Sequence, residues 1–365
     1  MTAPMAPHPP APHPPGHPRR RRAHPALVVL VLLGLLAGGA WVGMRILGST
    51  LGGFGSADDY PGPGSGEVVI EVAAGDSSSA IGATLEQADV VASAQAFVDA
   101  ALGDDRALGI QPGFYAMLQQ MSAEGALERL LDPASRVQTE VAIPEGLRLT
   151  DTIDRLVAAS RLPRRDFQQA LKNPDRLGLP DYADGSAEGF LFPATYTFDP
   201  DTSAKQMLKA MIDRYEQAAD DVGLVQGAAA AGYTPREALT VASLVQAEVA
   251  ERDFGRASRV VANRLELGMT LGFDSTVNYA LGEDDLTLAD EQLAVDSPYN
   301  TYQNAGLPPG PINAPGEAAM AAAIAPPEGD WLYFVAVSPE SDETQFTADY
   351  QEFLRFKDEF YNQVP

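Results

Sequence analysis

The chain contains no cysteine, and none of its four histidines lies beyond residue 24. The first absence excludes a disulfide framework, thiol catalysis and cysteine-bound metal. The second removes Ser-His-Asp triads, Cys-His pairs and histidine-ligated zinc from everything after His24. Positive charge is scarce too, with 25 Lys and Arg against 50 Asp and Glu. Five of those bases (Arg19, Arg20, Arg21, Arg22 and Arg45) precede residue 48, so the remainder sets 20 bases against all 50 acids. A surface of that sign repels nucleic acid and anionic headgroups, so nucleic acid is not an expected partner. Chemistry is left to carboxylates, hydroxyls, amides and arginine. With 45% hydrophobic residues in 365, there is material for about two domains with real cores.

Residues 1–24 form a Pro-, His- and Arg-rich tail that cannot build a core. Pro25 to Met44 then runs 20 residues without a charge, about 30 Å as a helix and the thickness of one bilayer core. Four arginines before the run and one after it put the N-terminus in the cytoplasm. The expectation is a single-pass anchor over 25–47, with the rest of the chain outside the cell membrane. Ala37-Gly38-Gly39-Ala40 also suits signal cleavage, although the run exceeds a cleaved signal's usual length. Residues 48–66 read as a flexible Gly/Ser/Pro linker.

After the linker one pattern occurs twice. A strand at Val68–Ala73 leads through Gly75 to helices marked by Ile81 and Leu85, then by Phe97, Val98 and Leu102. A second strand at Val141 leads through Gly146 to helices carrying Ile153, Leu156 and Val157, then Phe167 and Leu171. The offset is about 71 residues, and two β-α-α units indicate a duplicated scaffold rather than a solenoid. A strand at Phe114–Met117 and a helix at Glu124–Leu131 lie between the copies. Further on, the pattern predicts an amphipathic helix at Lys205–Ala218 and a helix from Pro235 to about Ala250. Thr234 caps the latter and Glu237 completes a capping box. A partner helix follows at Phe254–Leu267, then a 19-residue loop at Ser297–Pro315, a buried strand at Trp331–Val337 and a terminal helix at Tyr350–Tyr361.

Glu248 does not fit its helix. At 100° per residue from Val241, the side chains of Ala238, Leu244, Val245 and Val249 define an apolar stripe, and Glu248 falls inside it at about 340°. A carboxyl there is either desolvated and held protonated, as a general acid must be, or paired. Arg252, Arg256, Arg259 and Arg264 are the available partners, and position alone does not decide. Glu188 precedes Gly189 in an aromatic loop, where it suits substrate contact or the pinning of backbone amides. Asp274 and Thr276 read by default as helix caps. Tyr299, Asn300, Thr301 and Tyr302 combine rings with hydrogen-bonding groups, a mix that suits sugars and also ordinary turns. Ser243 faces away from the stripe with no lysine at helical spacing, which argues against a Ser-Lys dyad.

Seven stretches in order resemble the MltG/YceG-like family of membrane-anchored endolytic murein transglycosylases. They are Ile143–Gly146, Glu188–Pro193, Ala242–Glu248, Asn263–Leu265, Asp274–Val277, Tyr299–Tyr302 and Gly306–Ile312. The resemblance implies an α+β fold, with a LysM-like module at 67–138 and a catalytic domain at 139–365. It implies lyase cleavage of the MurNAc-β-1,4-GlcNAc bond in peptidoglycan glycan strands, without metal or cofactor, beside membrane-bound wall synthases such as penicillin-binding proteins. Glu248 matches the family's catalytic glutamate. Glu188, Asn263, Asp274, Thr276, Tyr299, Asn300, Thr301 and Tyr302 are the expected substrate-binding residues. Two positions depart from the pattern: Gln246 stands for a glutamate of the catalytic motif, and Gly272-Phe273 replaces a common glutamine before Asp274.

Overall fold

The computed structural model describes residues 57–285, 288–338, 341 and 343–363. The expected tail and anchor therefore lie outside the described residues. Among those residues no helix is long and apolar enough to cross a membrane. The chain divides into two units, Met1–Arg136 and Val137–Pro365, and its elements are mixed α+β.

In the first unit, β1 (Ser65–Val72) is followed by α1 (Ser78–Gln87), α2 (Ala94–Leu102) and β2 (Gly113–Gln119), which pairs antiparallel with β1. Strand alternation puts Ile70, Val72, Tyr115 and Met117 on one face. Ile81, Leu85 and Phe97 close over that face, joined by Leu127 and Leu130 of α3 (Ala123–Leu131). Each helix carries its own serine cap: Ser77, Ser93 and Ser122 accept from the amides of Ala80, Ala96 and Gly125. Leu102, a marker of the second helix in the sequence, is 80% exposed.

The second unit opens with the same device. There β3 (Thr139–Ala142), α4 (Leu149–Ser160) and α5 (Arg164–Leu171) are closed by β4 (Thr195–Phe198), antiparallel to β3 with Ala142 opposite Thr195. The repeated unit is thus β-α-α-β. The strand expected between the copies is the first copy's own closing strand. The strand that closes the second copy is too short and threonine-rich to announce itself. Gly75 and Gly146, at the same turn in each copy, sit at φ +87° and +76°, a region costly for any residue with a Cβ.

Helices α6 (Ala204–Val222), α7 (Leu224–Ala231), α8 (Pro235–Glu248) and α9 (Phe254–Glu266) follow. After them come α10 (Asp274–Leu281), α11 (Asp290–Leu293), α12 (Glu317–Ile324), the hairpin β5 (Tyr333–Ala336) and β6 (Thr344–Thr347), and α13 (Tyr350–Tyr361). The central rod is α8, which packs against α7, α9, α10 and α12. It starts as its capping box requires and ends at Glu248, with Val249 extended. Every residue from Ala238 to Val245 is buried. The single apolar stripe was therefore too narrow a reading, because small Ala and Ser side chains let neighbours close on the other faces. The strand expected at Trp331–Val337 is also corrected. It shortens to β5, and its four residues are only half-buried because it pairs with β6 alone.

Candidate active site

Glu248 stands where the buried rod ends at an open cavity of about 580 Å³. That volume lies in the range of small-ligand sites. The floor is Ala247, Glu248, Arg264 and the stretch Gly272–Ser275. Arg148, Asn278, Tyr279, Asp284 and Asp285 form one side, and Tyr302, Ile312 and Asn313 come from the long loop. The remaining wall is Phe334, Val335 and Ala336 of β5 with Phe353, Lys357, Phe360 and Tyr361 of α13.

No arginine forms an ion pair with Glu248 among the described residues. Asp253 takes Arg252 and Arg256, and Arg259 donates to the carbonyls of Pro326 and Pro327. The carboxyl instead accepts from the Ser275 hydroxyl, with Oγ 2.5 Å from Oε1, in the first turn of α10. Burial pushes the Glu248 pKa up to about 7, opposed by Ser275 and Arg264 and assisted by the charge of Asp274. A side chain stripped of most water yet still open to the cavity is poised to give and take a proton near neutral pH. Arg264 is itself buried and donates to the backbone carbonyls of Leu332, at 2.6 Å, and Leu271. Burial lowers its pKa, and with carbonyls as its hydrogen-bond partners its positive charge remains available to the cavity.

Two of the eight expected substrate-binding residues line the cavity. Asp274 accepts from the Tyr302 hydroxyl at 2.5 Å, and Tyr302 remains 41% exposed. Burial and then the Asp274 carboxylate hold the Tyr302 phenol well above its usual range. Neither Asp274 nor Thr276 caps α10, whose N-cap is Phe273 with no side-chain bond.

The other six hold the walls. Thr276 and Thr301 join their hydroxyls at 2.9 Å, and Thr301 also accepts from the Phe273 amide. Asn300 donates to Leu293 and Val295, and Asn263 to Gly329 and Trp331. Tyr299 packs against Tyr279 at 4.8 Å between ring centroids. Glu188 is buried, accepts from the Leu149 amide at 2.9 Å and the Tyr279 hydroxyl at 3.2 Å, and so pins a loop. Burial raises its pKa to about 7 as well. Gly189 beside it sits at φ +87°, and a Cβ there would meet Pro311, so the Glu188 loop and the long loop lie against each other.

Ser243 is buried in the interior. Its hydroxyl donates to Thr240 O and accepts from Ile312 N, while Asn313 donates to its carbonyl. These bonds fasten the long loop to α8. Gln246 does the same for Gly316, whose amide it accepts. Sequence reasoning did not single out Ser275, Arg148 or the α13 wall. Ser275 stands within the Asp274–Val277 stretch, and the regular spacing of Phe353, Lys357 and Phe360 was the available signal for the wall.

The YceG-like family matches residues 70–359. An endolytic murein transglycosylase of Bacillus subtilis is 31% identical over 309 residues, covering 80% of this chain and 84% of that protein. One from Streptococcus pneumoniae is 30% identical over 346 residues, covering 84% of this chain and 60% of that protein. Among solved structures, a yceG-like protein of Listeria monocytogenes aligns at a TM-score of 0.54 with 29% identity, over 80% of this chain and 99% of that one. With a family match that spans residues 70–359 and reaches into both units, the chain belongs to the YceG-like family.

Proposed function

We propose that the chain is an endolytic lytic transglycosylase that cleaves MurNAc-β-1,4-GlcNAc bonds of peptidoglycan and leaves 1,6-anhydro-MurNAc ends. The observation that carries this reading is Glu248, a carboxyl without an ion-pair partner among the described residues at the floor of an open cavity, where burial pushes its pKa up to about 7. Ser275 holds Oε1, and Oε2 carries the proton to the bridging oxygen. As that bond breaks, positive charge develops at C1, and Arg264 and Ser275 stabilise the carboxylate left behind. The carboxylate then takes the proton of the MurNAc 6-hydroxyl as that oxygen closes on C1. One carboxyl acts as acid and then as base, and no water is consumed.

The β-α-α-β layout of 65–119 supports a LysM-like, glycan-binding role for the first unit. Attachment at the cell membrane through residues 25–47, a cytoplasmic N-terminus and neighbouring wall synthases (penicillin-binding proteins) belong to the same proposal, supported by the charge pattern and the family. Asp274, in the same cavity, favours one second reading, a hydrolase with paired carboxylates. The test is to digest uncrosslinked murein with the full chain in detergent and weigh the products. Anhydro ends are expected, and Glu248→Gln is expected to lower their rate by about 10²–10⁴-fold, the share of a general acid. Products one water heavier would replace the lyase with the hydrolase.

A further inference from the structure

The outer wall of the cavity has a chemistry that cleavage alone does not require. Along α13 the cavity-lining residues are Phe353, Lys357, Phe360 and Tyr361, spaced so that they share one helical face. The residues three and four positions from Lys357 are Leu354, Phe360, Phe353 and Tyr361. No carboxylate therefore stands where a helical ion pair would form, and no ion pair is made by Lys357 among the described residues. Its ammonium lies 5.7 Å from the centre of the Tyr361 ring. The other two cations of the cavity are engaged: Arg148 pairs with Asp284 at 2.6 Å, and Arg264 is bound to backbone carbonyls. Lys357 is exposed, a hydrated point charge at the rim of the cavity.

Glycan hydroxyls and acetamides are neutral and give a lysine little reason to stand there. The groups on a peptidoglycan strand that carry negative charge are the carboxylates of its stem peptides. From this face we infer that α13 forms a subsite for the peptide-bearing side of the strand, with Phe360 and Tyr361 against a sugar face and Lys357 on a stem-peptide carboxylate. Tyr361 is 47% exposed and Tyr302 41%, so both sides of the cavity offer open ring surface to a sugar. No residue of α13 is fully buried. The helix therefore contributes its face to solute at little cost to the core. The inference rests on the transglycosylase reading and adds to it the part of the substrate that the rim selects.

The test uses the full chain in detergent at low salt, where a rim charge is least screened. Its substrates are uncrosslinked strands with free stem-peptide carboxylates and the same strands after those carboxylates are converted to amides. The unmodified strands are expected to show a KM lower by about threefold, the worth of one exposed ion pair. Lys357→Glu is expected to reverse that preference, with kcat on the amidated strands reduced less than kcat/KM on the unmodified ones. Phe360→Ala is expected to raise KM on both. Equal KM values for the two substrates in the wild type, or a preference unchanged in Lys357→Glu, would overturn the subsite and leave the lyase standing. Absence of anhydro ends from both substrates would remove the lyase reading, and the subsite with it. Circular dichroism of Lys357→Glu separates either result from misfolding.

Discussion

The two β-α-α-β copies share a layout but not a way of ending their helices. In the first copy, α1 and α2 carry serine caps of their own, Ser77 and Ser93. In the second, Arg148 and Pro163 stand at the N-caps of α4 and α5 and neither makes a side-chain cap bond. The first amide of α4, that of Leu149, is satisfied by Glu188, which reaches in from a loop 39 residues away. Glu188 also takes the hydroxyl of Tyr279, a cavity-lining residue. The first copy closes locally, whereas the second is completed by the groups that shape the cavity. Gly146 and Arg148, at its strand-helix turn, are themselves part of the lining. The same layout occurs twice, and only in the second does a connection to the site stand in place of a local cap.

The strongest way to test that contrast is at its equivalent core positions. Phe97 and Phe167 are both fully buried, and replacing either with Ala is expected to cost about 3–5 kcal/mol. Denaturant titration should show similar losses, while murein cleavage by the folded fraction should fall only for Phe167→Ala. Equal loss of activity would erase the distinction between the copies.

The next effect concerns pH. Glu188 has a folded pKa of about 7, raised from 4.5 chiefly by burial. Its contribution is fully present below about pH 4.5, is lost as pH rises through 7, and is constant above that. The loss amounts to about 3 kcal/mol. Glu188→Gln keeps the acceptor for Leu149 and removes the titration. Its stability should fall less than wild type between pH 4.5 and 8, as urea midpoints would show. Glu248 contributes a decline of the same sign in the same unit, so a residual slope is expected. Ser77→Ala, the matching cap change in the first copy, should cost about 1 kcal/mol at every pH and leave cleavage intact.

The smallest change expected is at Ser275→Ala. Losing one hydrogen bond to the carboxyl should reduce kcat by about threefold. Because Ser275 opposes the rise in the Glu248 pKa, the alkaline limb of the rate profile should move upward. A limb that stays in place would mean another group sets it.

Much of this was legible in the sequence where a pattern had a single physical cause. The capping box at Thr234 placed the start of α8, the paired glycines revealed the repeat, and a carboxyl in an apolar stripe drew attention to Glu248, whose role only the family resemblance supplied. Elements without such a cause escaped notice. Helices α7 and α12 are built largely of alanine, which carries no period. Strands β4 and β6 are four residues long, and each shows only a brief alternation. The polar residues of α10 and the long loop could not be sorted from the sequence for a more general reason. A buried polar side chain must find a hydrogen-bond partner, so Asn300, Thr301 and Thr276 look alike whether they hold a ligand or a neighbouring strand of chain. Only their partners distinguish the two.

Helix α8, buried from Ala238 to Val245, places the acid at the end of the most enclosed part of the unit. The outer wall of the cavity, by contrast, is a two-stranded hairpin and a helix with no fully buried residue. Reaction and recognition thus rest on elements of different burial, and grafts of α13 between relatives are expected to carry substrate preference with them while the chemistry at Glu248 stays the same.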